Sequence, residues 1–340
     1  MPLRLLYCRA GFEGECAQEV TALGAGACDF TRDSGFVVAH AATNATTPLW
    51  RDLIFARQCL PVFAHAQAMP RNDRLTPIMA ALAQRGETYA QVWTEAPDSD
   101  AGKALAPLCK SLGNALVGAM KKARLLDVAA SRRLHAFFPQ GDEVYLCAAD
   151  PESCAPWPQG IPRLKFPREA PSRSTLKLEE AFLTLLDDNE RTRWLTAGMS
   201  AVDLGAAPGG WTYQLVRRSI RVAAIDNGPM DRALMDSGLV THRREDGFRY
   251  RPQKIVDWLV CDMVEQPRRV AELIAHWLQK GWCRRAIFNL KLPMKRRFDE
   301  AQQCLARVRA VAGTVRAKQL YHDREEITVF AASTGVRQRP

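Results

Sequence analysis

The sequence predicts an α/β protein: a parallel sheet wound with helices fills the C-terminal half, and two small α+β segments precede it. Three observations predict this. From Ser172 onward, apolar runs of strand length alternate with segments of helical spacing. A glycine-rich turn at 205–210 follows the first of those runs, and an acidic residue closes the next. Before residue 150 short strands and helices follow no such alternation, and six prolines between Pro151 and Pro171 then make regular structure improbable.

In the first segment, residues 3–8 form an apolar run that Gly11 breaks. Residues 13–23 have helical spacing, 36–40 form a second strand, and 52–63 are another apolar stretch. In the second segment, 75–85 reads as helix, 89–94 as extended, 103–126 as one strong helix and 144–148 as extended again. The expected division is therefore 1–67, 68–150, a Pro-rich linker at 151–171, and 172–340. In the last part, strands are expected at 201–204, 222–225, 258–261 and 286–290, with crossover helices at 212–218, 269–280 and 299–311. Ligands of such sheets bind at the carboxyl ends of the strands, so the polar residues just after each strand carry the functional reading.

The chain has 340 residues, 47% hydrophobic and 25% charged, which suits two or three globular domains. No apolar run reaches the roughly 18 residues of a membrane span, and the first ten residues lack the layout of a signal peptide. A cytoplasmic protein is expected. Ten scattered cysteines without a C-x-x-C pair are expected to be free thiols, with no structural metal. The formal charge is +10, and residues 1–150 balance 15 basic against 15 acidic side chains, so the whole excess lies in 151–340. That excess implies a polyanionic partner; charge alone does not separate RNA from DNA or an acidic membrane surface.

The stretch AVDLGAAPGGWTYQL occupies 201–215. Gly205, Gly209 and Gly210 let the backbone turn sharply and approach a ligand, and Pro208 stiffens the turn. Asp203 can accept hydrogen bonds from loop amides or from a cationic amino group. Asp226 lies 23 residues beyond it, near the offset at which an acid holds ribose hydroxyls. Together they fit an adenosine-containing cofactor, against the alternative of a tight turn and a solvated aspartate. The spacing is not G-x-G-x-x-G, which weakens the case for a dinucleotide. Asp246, in REDGF, could accept from an adenine amino group or simply form a turn.

Three further segments carry reactive groups. PSRSTLKLEEA, at 171–181, opens a helix with Ser172 or Ser174 as N-cap and carries Lys177, which could also be a plain solvated lysine. The fourth run ends in Cys261, Asp262 and Met263, and the fifth, FNLKLP, holds Lys291 between two leucines. A lysine so placed is poorly solvated and needs a partner such as Asp262, in a catalytic or a structural ion pair.

IPRLKFP, APSRSTLKLEEAF, VDLGAAPGGWTYQLV, IDNGPM, REDGF, NLKLPMK and LYHDREEITV give residues 161–331 a clear resemblance to the FtsJ-like ribose 2′-O-methyltransferases. With CRAGFEGECAQEV and IFARQ added, the whole chain resembles the bacterial 23S rRNA cytidine 2′-O-methyltransferases. The resemblance implies a Rossmann-like class I methyltransferase domain using S-adenosylmethionine, preceded by ferredoxin-like (1–67) and THUMP-like RNA-binding (68–150) domains. It implies a monomer acting on 23S rRNA without a metal. It implies Lys177, Asp262, Lys291 and Glu326 as a catalytic tetrad, with Glu325 the alternative for the fourth place. It also implies cofactor contacts from Ser174, Ala207, Pro208, Gly209, Gly210, Asp226, Asp246 and Asp262.

On this reading Lys291 is the candidate general base. A second cation (Lys177) and partial burial are expected to favour its neutral amine, while Asp262 opposes that shift and orients it. Arg163, Lys165, Arg168 and Arg173 before the site, and Lys295, Arg296 and Arg297 after it, could hold phosphates. The N-terminal half has one main basic cluster, from Lys110 to Arg133, and is expected to select shape in folded rRNA. Two other classes stand beside this one: a non-catalytic RNA-binding assembly factor that retains a cofactor pocket, and a nucleotide-dependent oxidoreductase.

Overall fold

The computed structural model describes residues 2–41 and 47–334. Contacts divide the chain into two compact units, Met1–Pro162 and Arg163–Pro340. The division falls inside the Pro-rich tract, whose Cys154, Ala155, Ile161 and Pro162 are buried.

The first unit begins with β1 (Leu3–Cys8), α1 (Glu13–Ala22), β2 (Cys28–Asp29), β3 (Phe36–His40) and β4 (Ala56–Ala66). It continues with α2 (Leu75–Arg85), β5 (Gln91–Glu95), α3 (Asp100–Ala104), α4 (Ala106–Lys122), β6 (Arg133–Gln140) and β7 (Glu143–Ala149). These strands form one sheet in the order β2-β3-β1-β4-β7-β6-β5, antiparallel except for the β5–β6 pair. The pairing of β4 with β7 makes that sheet continuous across residues 1–67 and 68–150.

Two elements differ from expectation. The helix foreseen at 103–126 is split at Leu105, because Pro107 lacks an amide proton and fits only the first turn of a new helix. The strand β6 went unforeseen because Arg133 and His135 interrupt its apolar run. Both are buried with partners: His135 Nδ1 lies 2.7 Å from Glu95, and the Arg133 guanidinium sits 3.7 Å from the Trp93 ring centre.

The second unit starts with α5 (Thr175–Leu185), α6 (Asp188–Trp194), β8 (Ser200–Leu204), α7 (Gly210–Val216), β9 (Arg221–Ile225) and α8 (Arg232–Asp236). Next come β10 (Val240–Arg243), β11 (Val256–Cys261), α9 (Pro267–Gln279), β12 (Cys283–Lys291) and α10 (Arg297–Arg309). The chain then closes with β13 (Ala312–Lys318) and β14 (Glu326–Ser333). The sheet order is β10-β9-β8-β11-β12-β14-β13. Strands β10 through β12 are mutually parallel, as expected. Strand β14 departs from this parallel run and is antiparallel to both its neighbours. Residues 319–325 are too short a link for anything else, since a parallel return needs a crossover of about a dozen residues or more.

Residues Trp258, Leu259, Val260 and Cys261 of β11 are all buried, as befits a strand covered on both faces. Phe182 of α5 and Phe330 of β14 pack against Trp258, at 6.0 and 6.2 Å between ring centres. Strand order reverses between β8 and β11, so a crevice opens at their carboxyl ends, where open α/β sheets bind ligands.

Candidate active site

The register of β12 against β14 sets Lys291 opposite Glu326 and Asn289 opposite Thr328. Alternation puts residues two apart on one face, so these four side chains share it. Asp262 follows Cys261, which pairs with Phe288, and thus ends the neighbouring strand beside Asn289. Lys291 Nζ lies 3.1 Å from Asp262 Oδ1 and also donates to Glu326 Oε2. Lys177, in the first turn of α5, donates to Glu326 Oε1 and stands 3.6 Å from Asp262 Oδ2. Two ammonium groups and two carboxylates therefore alternate around a closed ring. Glu325 is exposed and pairs with Arg297 at 2.8 Å instead, so Glu326 is the glutamate brought to the lysines.

The ring corrects one expectation about Lys291. Burial does disfavour its charged form, but Asp262 and Glu326 outweigh that cost and hold it above the ordinary lysine value. Burial likewise opposes the charged form of Glu326, and the two lysines reverse the effect and hold its carboxyl below the usual range. In this ring the Lys291 ammonium and the Glu326 carboxylate each stabilise the charged form of the other.

Supporting residues that the sequence reading missed hold this ring. Glu180, on α5 with Lys177, accepts from the amides of Tyr321 and His322 at 2.7 and 3.0 Å and meets the His322 ring at 2.6 Å. It thereby ties the helix carrying Lys177 to the loop that leads into Glu326. Asn289 Nδ2 donates to Asp262 Oδ1 at 2.8 Å. The spacing Asn-x-Lys facing Glu-x-Thr was the one available signal, and it is readable only once the strands are paired.

Beside the ring a cavity of about 430 Å³ opens at the ends of β8, β9, β10 and β11, within the size range of cofactor sites. Ala207, Asp226, Asp246 and Asp262 line it. Asp226 is oriented by the amides of Ala207 and Gly228, at 3.0 and 2.7 Å, and Asp246 by that of Phe248 at 2.9 Å. Gly205 has φ +76°, and a Cβ there would come within 2.7 Å of Met263 Cγ, so glycine lets the β8 and β11 loops close under the cavity. A Cβ on Gly210 would lie 2.1 Å from Ser174 Oγ, which packs the starts of α5 and α7 together.

Ser174, Pro208, Gly209 and Gly210 are not among the residues that line the cavity. Ser174 stands at the N-cap position of α5 without a capping side-chain bond, its hydroxyl 2.6 Å from that of Ser172. Asp203 is also outside the lining. It is fully buried, accepts the Thr212 hydroxyl at 2.6 Å, and burial pushes its carboxyl up to about 7.

Among the described residues the lining has five carboxylates, Asp226, Glu245, Asp246, Asp262 and Glu265, and no Lys or Arg. A pyrophosphate would be repelled there, whereas a cationic nucleoside with a free ribose diol suits these acceptors. Asp262 belongs to both the cavity and the ionic ring, so a reactive group held in the first would meet the second. Arg163, Lys165, Arg168, Arg173, Lys295 and Arg296 are exposed, and Arg297 is half-buried against Glu325. Among the described residues no cluster of His, Cys, Asp and Glu could hold a metal ion, and no helix is long and apolar enough to cross a membrane.

Three families match the chain. The FtsJ-like methyltransferase family matches residues 170–329, the N-terminal family of ribosomal RNA large subunit methyltransferase M matches 73–149, and the RlmM ferredoxin-like domain matches 1–60. Ribosomal RNA large subunit methyltransferase M of Xanthomonas campestris pv. campestris is 53% identical over 341 residues, covering 96% of this chain and 98% of its own. The protein of the same name from Xanthomonas axonopodis pv. citri is 52% identical with the same coverage. Among solved structures, TrmN from Thermus thermophilus aligns over 98% of this chain and all of its own, at 14% identity and a TM-score of 0.38. The fibrillarin pre-rRNA processing protein of Methanococcus jannaschii aligns over 58% of this chain and 81% of its own, at 15% identity and a TM-score of 0.37.

Proposed function

The chain belongs to the ribosomal RNA large subunit methyltransferase M family, with an FtsJ-like methyltransferase domain in its second half, and on that premise we propose that it methylates a cytidine 2′-hydroxyl of 23S rRNA from S-adenosylmethionine. The observation that carries this reading is the double membership of Asp262, in the acidic cavity and in the ring with Lys177, Lys291 and Glu326. When bound, S-adenosylmethionine supplies an electrophilic sulfonium methyl group. Asp226 would accept from its ribose hydroxyls and Asp246 from its adenine amino group.

A ribose hydroxyl is a poor nucleophile, and its proton has to leave as the oxygen attacks. Lys291, in its amine form, would take that proton onto Nζ as the hydroxyl oxygen accepts the methyl group that bound S-adenosylmethionine would supply. Asp262 and Glu326 stabilise the resulting ammonium and fix its direction. They also make the reactive amine a minority species at neutral pH, so the rate climbs with pH until Lys291 is deprotonated. Lys177 balances the second carboxylate, and the ring would contribute by positioning the hydroxyl toward the cofactor cavity.

The exposed cations of 163–173 and 295–296, which flank the site residues in sequence, hold backbone phosphates around the target nucleotide. Residues 1–67 and 68–150 act as ferredoxin-like and THUMP-like modules that select the rRNA shape, 151–171 as the linker, and 172–340 as the methyltransferase domain. The enzyme works as a monomer. Lys291→Ala tests the reading: transfer of tritiated methyl to deproteinised rRNA is lost, while calorimetry still detects S-adenosylhomocysteine binding. Transfer retained within a few fold would remove Lys291 from the base role, and binding of NAD in its place would favour an oxidoreductase.

A further inference from the structure

Behind the ionic ring lies a second, buried set of polar groups that the reaction does not use directly. Thr328 Oγ1 lies 2.7 Å from Asn289 Oδ1 and also 3.1 and 3.0 Å from Asp323 Oδ1 and Oδ2. Asn289 Nδ2 meets Asp262 Oδ1 at 2.8 Å, and Asp323 Oδ2 accepts the Leu320 amide at 3.0 Å. Asn289 and Thr328 are wholly buried and Asp323 is 1% exposed, so no solvent proton can substitute for a missing one.

Counting protons fixes the direction of every bond. Asp262 stands between two ammonium groups and is the charged acceptor, so Asn289 must turn its NH₂ toward it and its oxygen toward Thr328. That oxygen carries no proton, so the Thr328 hydroxyl donates to it. The hydroxyl has only one proton, and its contact with Asp323 is therefore a bond that Asp323 donates. Oδ2 is occupied by the Leu320 amide, which leaves Oδ1 as the protonated oxygen.

We propose that Asp323, Thr328 and Asn289 are positioning residues, a one-way hydrogen-bonded chain starting from a neutral Asp323 acid and ending on Asp262. The charged groups facing Asp323 are Glu326, Glu180 and Lys177. Burial pushes its carboxyl well above the usual range, the Glu326 and Glu180 anions add to the effect, and Lys177 only partly opposes it. A buried acid kept neutral so that it can donate is an established device of active sites. Here it gives Asp262 a fixed donor besides Lys291, so the carboxylate cannot swing and carry the lysine out of line. The inference rests on the methyl-transfer reading above.

Thr328→Val keeps the shape of the side chain and removes the hydroxyl. Turnover of rRNA methylation is expected to fall roughly 100-fold, the scale of a small misplacement of reacting groups. KM for rRNA and affinity for S-adenosylhomocysteine stay within a few fold, and Thr328→Ser, which restores the hydroxyl, recovers most of kcat. In wild-type protein at pH 7 the carbon-13 carboxyl signal of Asp323, assigned with Asp323→Asn, is expected to be that of the protonated acid. Near-normal turnover in Thr328→Val, no recovery in Thr328→Ser, or an ionised Asp323 at pH 7 would each overturn the proposal. The carboxyl signal requires neither methylation nor a folded variant at Thr328. Methylation that survives in Lys291→Ala strikes the base reading alone and leaves that signal unchanged.

Discussion

Glu326→Gln perturbs the ring at its most buried member, the carboxylate that holds both lysines. With Lys291 as base, kcat/KM rises tenfold per pH unit below the pKa of its ammonium and levels off above it. Burial lowers that pKa and the Asp262 and Glu326 anions raise it further than burial lowers it, so removing one anion lowers it again. Two charges about 4 Å apart interact by about 4 kcal/mol at the effective dielectric of a protein surface. Lys291 keeps 26% of its side chain exposed and retains Asp262 at 3.1 Å, so solvent and the remaining partner absorb much of the loss. A residual change of about 1.5–3 kcal/mol corresponds to a displacement of about 1–2 pH units. The assay is tritiated methyl transfer to deproteinised rRNA across pH 6 to 10, normalised so that only the position of the rising limb is read. Absolute rates fall in the variant because Lys177 loses its anchor. A limb that stays in place, or moves to higher pH, would refute the claim that Glu326 sets the protonation of Lys291.

Asp226→Ala removes the carboxylate that the amides of Ala207 and Gly228 orient into the cavity. Calorimetry should show affinity for S-adenosylhomocysteine weakened by about 1–3 kcal/mol, the scale of a lost hydrogen bond to a charged group. Gly210→Ala forces a Cβ to within 2.1 Å of Ser174 Oγ, and thermal unfolding should register about 1–3 kcal/mol of overpacking with reduced cofactor affinity. Asp203 titrates at about 7 in the fold and at about 3.9 unfolded, so the native state keeps a proton that the unfolded chain has lost. Its contribution is full below pH 4 and disappears as pH rises through 7, and Asp203→Asn, scanned by denaturant between pH 5 and 8, should abolish that component of the decline.

Much of the fold was legible because burial leaves a period. Leu3–Cys8, Phe36–His40 and Leu75–Arg85 come out with the bounds their spacing predicts. The strand β6 was not legible because its Arg133 and His135 are buried by pairing with partners distant in sequence, which no local pattern records. The reversal of β14 was hidden for a similar reason, since orientation follows from the length of the 319–325 link once both flanking strands are recognised. In the site, Asp262 and Lys291 stood out as polar residues at the ends of apolar runs, whereas Lys177, in the opening of a helix, had a plain solvated lysine as its alternative.

Glu326 is preferred to Glu325 in the sequence because it immediately precedes a strand, and the β12–β14 register sets it opposite Lys291. The charge state of Lys291 was misjudged because the sequence reading gave it one anionic partner and the register gives it two. Asn289, Thr328 and Asp323 carry no charge pattern or spacing of their own; pairing alone turns them into a connected set.

The most direct measurement is nucleoside mass spectrometry of 23S rRNA lacking the modification, after incubation with the purified protein and S-adenosylmethionine. One new 2′-O-methylcytidine per rRNA molecule is expected, absent when Lys291→Ala replaces the wild type. A methyl group found on a base, or rRNA left unmodified by wild-type protein that binds the cofactor, would contradict this expectation.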